Sequence, residues 1–407
     1  MTAFDFDREL DALREAGLLR QRKVSDSACG PELIVDGKPV VAFCSNDYLG
    51  LAAASEIAES LAGAARTHGV GSGASHLISG HHRLHQSLET RLARFVGSER
   101  ALTFSTGYMA NLAVVTTLCA RGDAVFSDAL NHASLIDACR LSRAAIHRYP
   151  HRDLAALDKE LADSDAARKL VVTDAVFSMD GDIAPLPELL RLCVKHDAML
   201  LVDDAHGFGV LGTNGRGSLS HFSSTFLSAG LKEALSSRLI YMATLGKAAG
   251  IAGAFVAGPA NLIEWLLQKG RTYIFTTAAP PALAASLITA IELIEQGDNR
   301  RAHLKKLVAR LRDALRLKRW RLMDSQTAIQ PLVIGSNEET LRVADTLMAQ
   351  GLWVPAIRPP TVAPGTARLR LSLSAAHTEA QVDRLVAALQ RAEAMPANAK
   401  AAEIRKA

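Results

Sequence analysis

The chain has 407 residues, of which 49% are hydrophobic and 22% are charged, and its formal net charge is +4. This composition is typical of a soluble globular protein, and so small a charge without a basic cluster argues against binding to nucleic acid or to a membrane surface. No apolar run approaches the length of a bilayer span and the acidic start MTAFDFDREL is unlike a signal peptide, so a cytoplasmic protein is predicted. The five cysteines are scattered without a CxxC pair, which favours reduced thiols over disulfides or a zinc site.

The predicted elements begin with an amphipathic helix from Phe6 to Leu19 and a short extended stretch around ELIVDGKPVVAFC. From about residue 100, short β-rich apolar runs such as KLVVTDAVF and MLLVDD alternate with helical patterns such as GYMANLAVVTTLCA. This alternation predicts an α/β fold with a mostly parallel central sheet that helices cover on both faces.

The pattern changes after the Pro280–Pro281 pair. Two helical stretches, 282–296 and 299–316, lead to a βαββα-like region from about 328 to 392, which predicts a smaller α/β C-terminal domain. The predicted division is 1–45 for an N-terminal helix and arm, 46–281 for a large domain, 282–395 for the small domain and 396–407 for a frayed tail.

Lys247 lies in ATLGKAAG, where its neighbours are glycine and alanine. A surface lysine gains nothing from small neighbours, whereas a lysine that binds a cofactor covalently needs backbone close by. About forty residues upstream, LLVDDAHGFG places Asp203 and His206 where a buried strand ends, and α/β sheets bind ligands at that edge. For each segment alone, an ordinary turn lysine and a helix-capping acid remain the alternatives.

Two glycine-containing segments are candidates for phosphate binding. In FSTGYMANL, Thr106 and Gly107 follow a strand and begin a helix, which is the setting of an anion site or of a plain N-cap. Gly207, Gly209 and Gly212 form GxGxxG, but TNGRGS follows instead of an apolar helix, so a dinucleotide site is disfavoured.

Histidines and arginines supply further candidates. His132 either stacks on a flat ring or lies in a loop, and Arg358 and Arg370 are candidate carboxylate ligands. A lysine, an acid, a helix start suited to binding a phosphate and a histidine that can stack on a flat ring together point to one cofactor, pyridoxal 5′-phosphate. The histidines at 81, 82 and 85 have metal-ligand spacing, but no acidic residue completes a set, so a helix face is favoured and no metal is predicted.

The chain resembles the α-oxoamine synthases, a family of fold-type-I pyridoxal-phosphate transferases. The resemblance covers nearly the whole chain, from SNDYLGL at 45–51 to LSAAHT at 373–378. Its other motifs stand in the family's order and are GSGASHLISG, NHASLID, VFSMDGDIAPL, VDDAHGFG, TLGKAAG, FTTAAPP, IQPLVIG and RPPTVAPGTARLR.

The resemblance implies roles for particular residues. Lys247 binds the cofactor covalently and moves protons, Asp203 pairs with the pyridine nitrogen, and His132 stacks on the ring. Further implied cofactor contacts are Thr106, Gly107, Tyr108, Ser178, His206 and Thr244, with Thr276 and Thr277 reaching the phosphate from a partner subunit. Implied substrate contacts are Asn46 and Arg370 to the amino-acid carboxylate, and Arg20 and Arg358.

The resemblance also implies a homodimer with a shared active site and a reaction. The motifs best match members that condense L-alanine with a pimeloyl thioester, carried by coenzyme A or by acyl carrier protein, and release carbon dioxide and the thiol. The alternative within the family joins glycine to acetyl-coenzyme A. Rivals outside it are an NAD-dependent oxidoreductase and a catalytically silent pyridoxal-binding regulator.

Overall fold

The structure is a computed structural model that describes residues 5–395, so the predicted frayed tail, 396–407, lies outside the described residues. The helices are α1 Phe6–Glu15, α2 Ser55–His68, α3 Arg83–Val96, α4 Gly107–Leu118, α5 Ala133–Ser142, α6 Leu154–Ala162, α7 Leu186–Lys195, α8 Ser218–His221, α9 Ser223–Ser228, α10 Lys232–Arg238, α11 Ala260–Lys269, α12 Arg271–Ile274, α13 Pro281–Glu295, α14 Asp298–Ala314, α15 Asn337–Ala349 and α16 Glu379–Ala394. The strands are β1 Glu32–Val35, β2 Lys38–Ala42, β3 Arg100–Phe104, β4 Ala124–Asp128, β5 Ala145–Tyr149, β6 Lys169–Asp174, β7 Met199–Asp203, β8 Leu239–Thr244, β9 Ala254–Gly258, β10 Arg321–Leu322, β11 Ile329–Gly335, β12 Leu352–Trp353, β13 Ala356–Ile357 and β14 Ala367–Ser372.

The described chain forms two compact units. The larger comprises residues 49–178 and 183–301, and the smaller comprises the remaining described residues. Helix α13 packs against α2 within the larger unit. The predicted domain limits at 45/46 and 281/282 stay a prediction. Within residues 5–395, no helix is both long enough and apolar enough to cross a membrane.

The larger unit is built on a seven-stranded sheet in the order β3-β9-β8-β7-β6-β4-β5. Strands β8, β7, β6, β4 and β5 are parallel, and β9 is antiparallel to both of its neighbours. The predicted α/β fold with a mostly parallel sheet is confirmed. Strand β9, with the short run AFVAG between glycines, was not predicted because five small and apolar residues carry no period of their own.

Continuous apolar runs explain why these strands are central. In β7, Leu200, Leu201 and Val202 are all fully buried, as expected for a parallel strand covered on both faces. Helix α4 closes one face with Ala110, Ala113 and other small or β-branched side chains. Because the parallel strands and β3 run the same way, their carboxyl ends meet at one edge of the sheet.

The smaller unit contains two small sheets, β1-β2-β12 and β10-β11-β14-β13. Strand β14 is buried at every position, and α16 packs its apolar face into the same unit. Over the predicted βαββα-like region the order is β11, α15, then the three strands β12, β13 and β14, and α16, so the structure has one strand more than predicted. The predicted first helix is too long, because it ends at Glu15 and the chain turns at Gly17, whose φ of 64° suits glycine.

Candidate active site

A cavity of about 190 Å³ lies in the larger unit at the carboxyl edge of its sheet. Eight of the predicted site residues line it: Gly107, Tyr108, His132, Ser178, Asp203, His206, Thr244 and Lys247. Strands β6, β7 and β8 deliver several of these residues directly, since each strand ends at or beside a lining position. The structure therefore brings most of the predicted cofactor residues to one place.

Lys247 and His206 form the amine end of the cavity. Lys247 Nζ lies 2.9 Å from His206 Nε2, within hydrogen-bond distance. Lys247 follows β8 in a tight loop, in which Gly250 N donates to the Lys247 carbonyl oxygen over 2.8 Å. A Cβ at Gly250 would lie 2.6 Å from Ala52 N, so this loop requires glycine there. Gly250, one of the small neighbours that singled out Lys247 in the sequence, is thus a packing requirement of its loop.

The N-terminus of α4 faces the same cavity. Thr106 caps the helix, and its Oγ1 accepts a hydrogen bond of 3.1 Å from Met109 N. The N-cap alternative is therefore what Thr106 Oγ1 does, yet the first N–H groups of the helix, at Gly107 and Tyr108, have no acceptor within the helix. Such a terminus attracts anions, so the cap and the anion site are compatible.

Two carboxylates lie side by side at the floor of the cavity. Asp174 on β6 and Asp203 on β7 are register partners, and both are buried. Burial and the charge of Asp203 hold the pKa of Asp174 well above its usual range. Asp203 Oδ1 accepts a hydrogen bond of 3.0 Å from Ala205 N, and Oδ2 accepts one of 2.8 Å from Asn111. Asp203 thus has the donors that a carboxylate anion needs, whereas burial favours the neutral form of Asp174.

His132 caps α5 beside these carboxylates. Its backbone N–H donates to Asp174 Oδ2 over 2.7 Å, and its Nδ1 lies 2.8 Å from Ser134 Oγ. Burial lowers the pKa of His132, which makes its imidazole neutral at pH 7. A neutral ring fixed at its N-cap is well placed to lie against a flat ligand.

Sequence reasoning missed three residues of this site, Asn111, Ser134 and Asp174. Asn111 is fully buried in α4, where its side chain joins Asp203 to Ser134. One signal was available for it, since a lone asparagine in the apolar helix GYMANLAVVTTL is unfavourable without a partner. Asp174 followed an apolar run just as Asp203 does.

Thr276 and Thr277 do not line the cavity within the described chain. Thr276 is half-buried and Thr277 is exposed, and Thr277 forms a single β-bridge with Ser75. Their implied route to the cofactor, from a partner subunit, stays a prediction.

The predicted carboxylate ligands lie in the smaller unit. Arg370 is 6% exposed, and both of its Nη atoms donate to Asn46 Oδ1, over 3.2 and 3.3 Å. Ser372 Oγ also accepts from Arg370, over 2.9 Å. Asn46 and Arg370 are therefore in direct contact although they are far apart in sequence, and their implied role as carboxylate ligands stays a prediction. Arg358 is half-buried, and Arg20 is exposed.

The GxGxxG segment serves packing rather than nucleotide binding. A Cβ at Gly207 would lie 2.1 Å from Asp204 Oδ1. Asp204 is fully buried and accepts hydrogen bonds from Ser218 N, Ser218 Oγ and Tyr241 OH, over 2.7, 2.5 and 2.7 Å. Burial raises the pKa of Asp204 to about 6. No apolar helix follows Gly212, only a short 3₁₀ turn, so the dinucleotide reading fails here.

The histidines around residue 80 form a hydrogen-bonded cluster. His76 Nδ1 lies 3.0 Å from His81 Nδ1. His85 Nδ1 accepts from His82 N over 2.9 Å, and His85 Nε2 lies 2.8 Å from the Ala279 carbonyl oxygen. Although nitrogen atoms of His76, His81 and His85 come within 4.8 Å of one another, both ring nitrogens of His85 are engaged in hydrogen bonds. The capping role of His82 and His85 at α3 agrees with the predicted helix face.

Comparison with known proteins gives a consistent result. Residues 38–389 match the family model described as aminotransferase class I and II. The 8-amino-7-oxononanoate synthase of Azoarcus sp. (strain BH72) is 60% identical over 95% of this chain and 96% of its own length.

Solved structures extend the likeness. A serine palmitoyltransferase from S. paucimobilis with a bound PLP–myriocin aldimine superimposes with a TM-score of 0.87 at 32% identity, covering 95% of this chain and 96% of that one. The 8-amino-7-oxononanoate synthase of Francisella tularensis gives a TM-score of 0.72 at 30% identity, covering 86% of this chain and 97% of that one. The chain therefore belongs to the 8-amino-7-oxononanoate synthase family, within the enzymes of aminotransferase class I and II.

Proposed function

We propose that the chain uses pyridoxal 5′-phosphate to condense L-alanine with a pimeloyl thioester. The product is 8-amino-7-oxononanoate, a precursor of biotin, and carbon dioxide and the thiol are released. The observation that carries the proposal is one cavity that holds Lys247, His206 and Asp203 at the carboxyl edge of the sheet, in a chain 60% identical to a synthase of this name.

The residues present fit the cofactor. Lys247 supplies a primary amine inside the cavity, and the α4 N-terminus at Gly107 supplies backbone donors suited to a phosphate. Asp203 supplies a buried carboxylate that accepts hydrogen bonds from Asn111 Nδ2 and Ala205 N, and such a carboxylate suits a protonated ring nitrogen. Thr244 and Ser178 add hydroxyl groups to the same lining.

When bound, the cofactor withdraws electrons from the α-carbon of the amino acid. Lys247 is the group that removes the α-proton and later returns one, and His206, 2.9 Å from Lys247 Nζ, orients that amine. Asp203 would place a carboxylate beside the ring nitrogen, and His132 would cover the ring face. During the reaction the α-carbon bonds to the pimeloyl carbonyl carbon, the C–S bond breaks, and the former carboxylate leaves as carbon dioxide.

The test of the function is product identification. Purified enzyme is incubated with alanine and pimeloyl-coenzyme A or pimeloyl-acyl carrier protein, and the aminoketone and carbon dioxide are measured by mass. Glycine with acetyl-coenzyme A and serine with a long-chain thioester are the competing pairs. Faster turnover of either competing pair, or no aminoketone from alanine, would refute the assignment.

Arg370 is proposed to bind the carboxylate of alanine, and a lysine substitution tests this role. We expect Arg370→Lys to raise the KM for alanine about ten- to a hundredfold, because lysine keeps the charge but loses the two-pronged geometry. The matched control is Arg368→Lys, since Arg368 is equally buried on β14 but is paired with Asp180. Equal effects of both substitutions on KM would contradict the role of Arg370.

Thr277 is proposed to reach the cofactor phosphate of a partner subunit. Thr277→Val should weaken cofactor retention about tenfold, since one hydrogen bond to a charged group is lost. Equilibrium dialysis against pyridoxal phosphate measures this loss, and unchanged retention would remove the assignment.

Mixed dimers show which subunit Thr277 serves. Lys247→Ala and Thr277→Val subunits are combined and assayed at limiting cofactor. If the site is shared, one site of each mixed dimer has both Lys247 and Thr277 intact, and activity returns. If Thr277 serves its own subunit, every site carries one defect, and the mixture is no more active at limiting cofactor than expected from its Thr277→Val sites alone.

A further inference from the structure

A directional chain of hydrogen bonds runs behind the cavity from Asp203 to His132. Asn111 Nδ2 donates to Asp203 Oδ2 over 2.8 Å and to Ser134 Oγ over 2.9 Å. Ser134 Oγ in turn lies 2.8 Å from His132 Nδ1. Asn111 does not line the cavity, but both ends of the chain do.

The orientation of the Asn111 carboxamide is fixed by its neighbours. Asp203 Oδ2 is an acceptor, so exchanging the nitrogen and oxygen of the amide would place two acceptors 2.8 Å apart. Asn111 Oδ1 has no hydrogen-bond partner in the part of the chain that the structure describes, although Asn111 is fully buried. The fold thus leaves one polar atom unsatisfied to keep both amide hydrogens on Asp203 and Ser134.

The orientation of the Asn111 amide also decides which nitrogen of His132 carries the proton. Because Ser134 Oγ accepts from Asn111, its own hydrogen is available for His132 Nδ1. Ser134 N also points at His132 Nδ1, over 3.3 Å. With two donors at Nδ1 and a neutral ring, the proton of His132 lies on Nε2.

The same amide distinguishes the two neighbouring carboxylates, because it donates to Asp203. Asp174 and Asp203 are neighbours on parallel strands, and two carboxylates so placed do not both ionise easily. Asp203 has the Asn111 amide as an additional donor, which stabilises its anion. The other titratable groups around Asp203 are Asp204, His132, His206, Tyr241 and Lys247.

We propose that Asn111 is a positioning residue that holds the charge on Asp203 and the proton on His132 through this one chain of hydrogen bonds. The inference rests on the proposed function only in that Asp203 meets the cofactor ring. Asn111 touches neither cofactor nor substrate, so its effect passes through Asp203 and His132.

The test measures binding of pyridoxamine 5′-phosphate by fluorescence, because this ligand cannot bond covalently to Lys247. Asn111→Ala removes the donor to Asp203 and so disfavours its anion. The ratio of the variant's Kd to the parent's should be on the order of ten to a hundred, because the carboxylate that pairs with the ligand's ring nitrogen has lost a charge-stabilising donor. Asn111→Ser keeps one donor and should give an intermediate ratio.

Ser134→Ala separates the two arms of the chain. It leaves the Asn111–Asp203 bond in place, so the Kd ratio should stay near one, while the preference of the His132 proton for Nε2 should weaken in ¹⁵N NMR spectra. The same spectra of the parent enzyme are decisive even where Asn111→Ala fails to fold. An Nδ1–H tautomer in the parent, or a Kd ratio near one for Asn111→Ala, overturns the inference.

The two hypotheses fail separately. A parent enzyme that makes no aminoketone from alanine but shows the predicted Kd ratio refutes the proposed reaction and supports the role of Asn111. A parent enzyme that makes the product, together with a Kd ratio near one for Asn111→Ala, supports the proposed reaction and refutes the role of Asn111.

Discussion

Substitution of Lys247 by alanine should lower turnover by about four orders of magnitude, at the upper end of what one proton-transferring group contributes. The variant should still bind pyridoxal phosphate, but weakly, because the α4 N-terminus and Asp203 remain while the covalent link is lost. Its visible absorption should lack the band that borohydride removes from the parent. Cofactor titration, absorption spectra before and after borohydride, and product mass measure these three effects.

Two controls separate chemistry from folding. Lys247→Arg keeps a cation next to His206 but cannot form the covalent link, so it should be as inactive as Lys247→Ala. Added ethylamine, a free primary amine, should restore part of the turnover of Lys247→Ala by taking over proton transfer. Substantial turnover by Lys247→Ala without added amine would overturn the whole functional proposal, whatever its effect on stability.

Much of the larger unit could be predicted because buried parallel strands stand in the sequence as continuous apolar runs. Runs such as KLVVTDAVF and MLLVDD are buried on both faces and stand out from the polar segments between them. Since parallel strands end at a common edge, polar residues directly after them, such as Asp203, had to lie near one another. Lys247 followed from the same logic, with the small residues of its loop as an added signal.

The parts that escaped prediction depend on contacts between distant segments. Asn111 belongs to the site because its helix passes behind Asp203, 92 positions along the chain. Nothing local to residue 111 specifies that partner. The early end of α1 is a different case, since Gly17 adopts a positive φ that the apolar spacing to Leu19 did not reveal. Propensity marks a helix more reliably than its last turn.

The adjacent acids Asp203 and Asp204 give the second large effect. Substitution by asparagine should lower kcat at Asp203 and leave kcat nearly unchanged at Asp204. Asp203→Asn keeps the shape of the side chain and an oxygen for Asn111, but removes the charge that we propose faces the cofactor ring. We expect kcat to fall about a hundred- to a thousandfold, as when a preorganised charge is deleted from an active site. Asp204→Asn should leave kcat close to that of the parent, since the asparagine oxygen can accept from Ser218 N and Tyr241 OH and its amide can donate to Ser218 Oγ.

Stability should show the converse pattern at Asp204. Because burial raises the pKa of Asp204 to about 6 in the folded enzyme, the folded state holds a proton that the unfolded state loses between about pH 4 and 6. The free energy of unfolding of the parent is therefore lower above pH 6, because the folded state must then ionise the buried Asp204. Asp204→Asn should remove this loss of stability. Denaturation of both variants at pH 4.5 and pH 7.5, beside kcat at pH 7.5, measures the contrast. A large loss of kcat in Asp204→Asn together with an active Asp203→Asn would contradict the proposal, because it would show that the ring-facing charge belongs to Asp204.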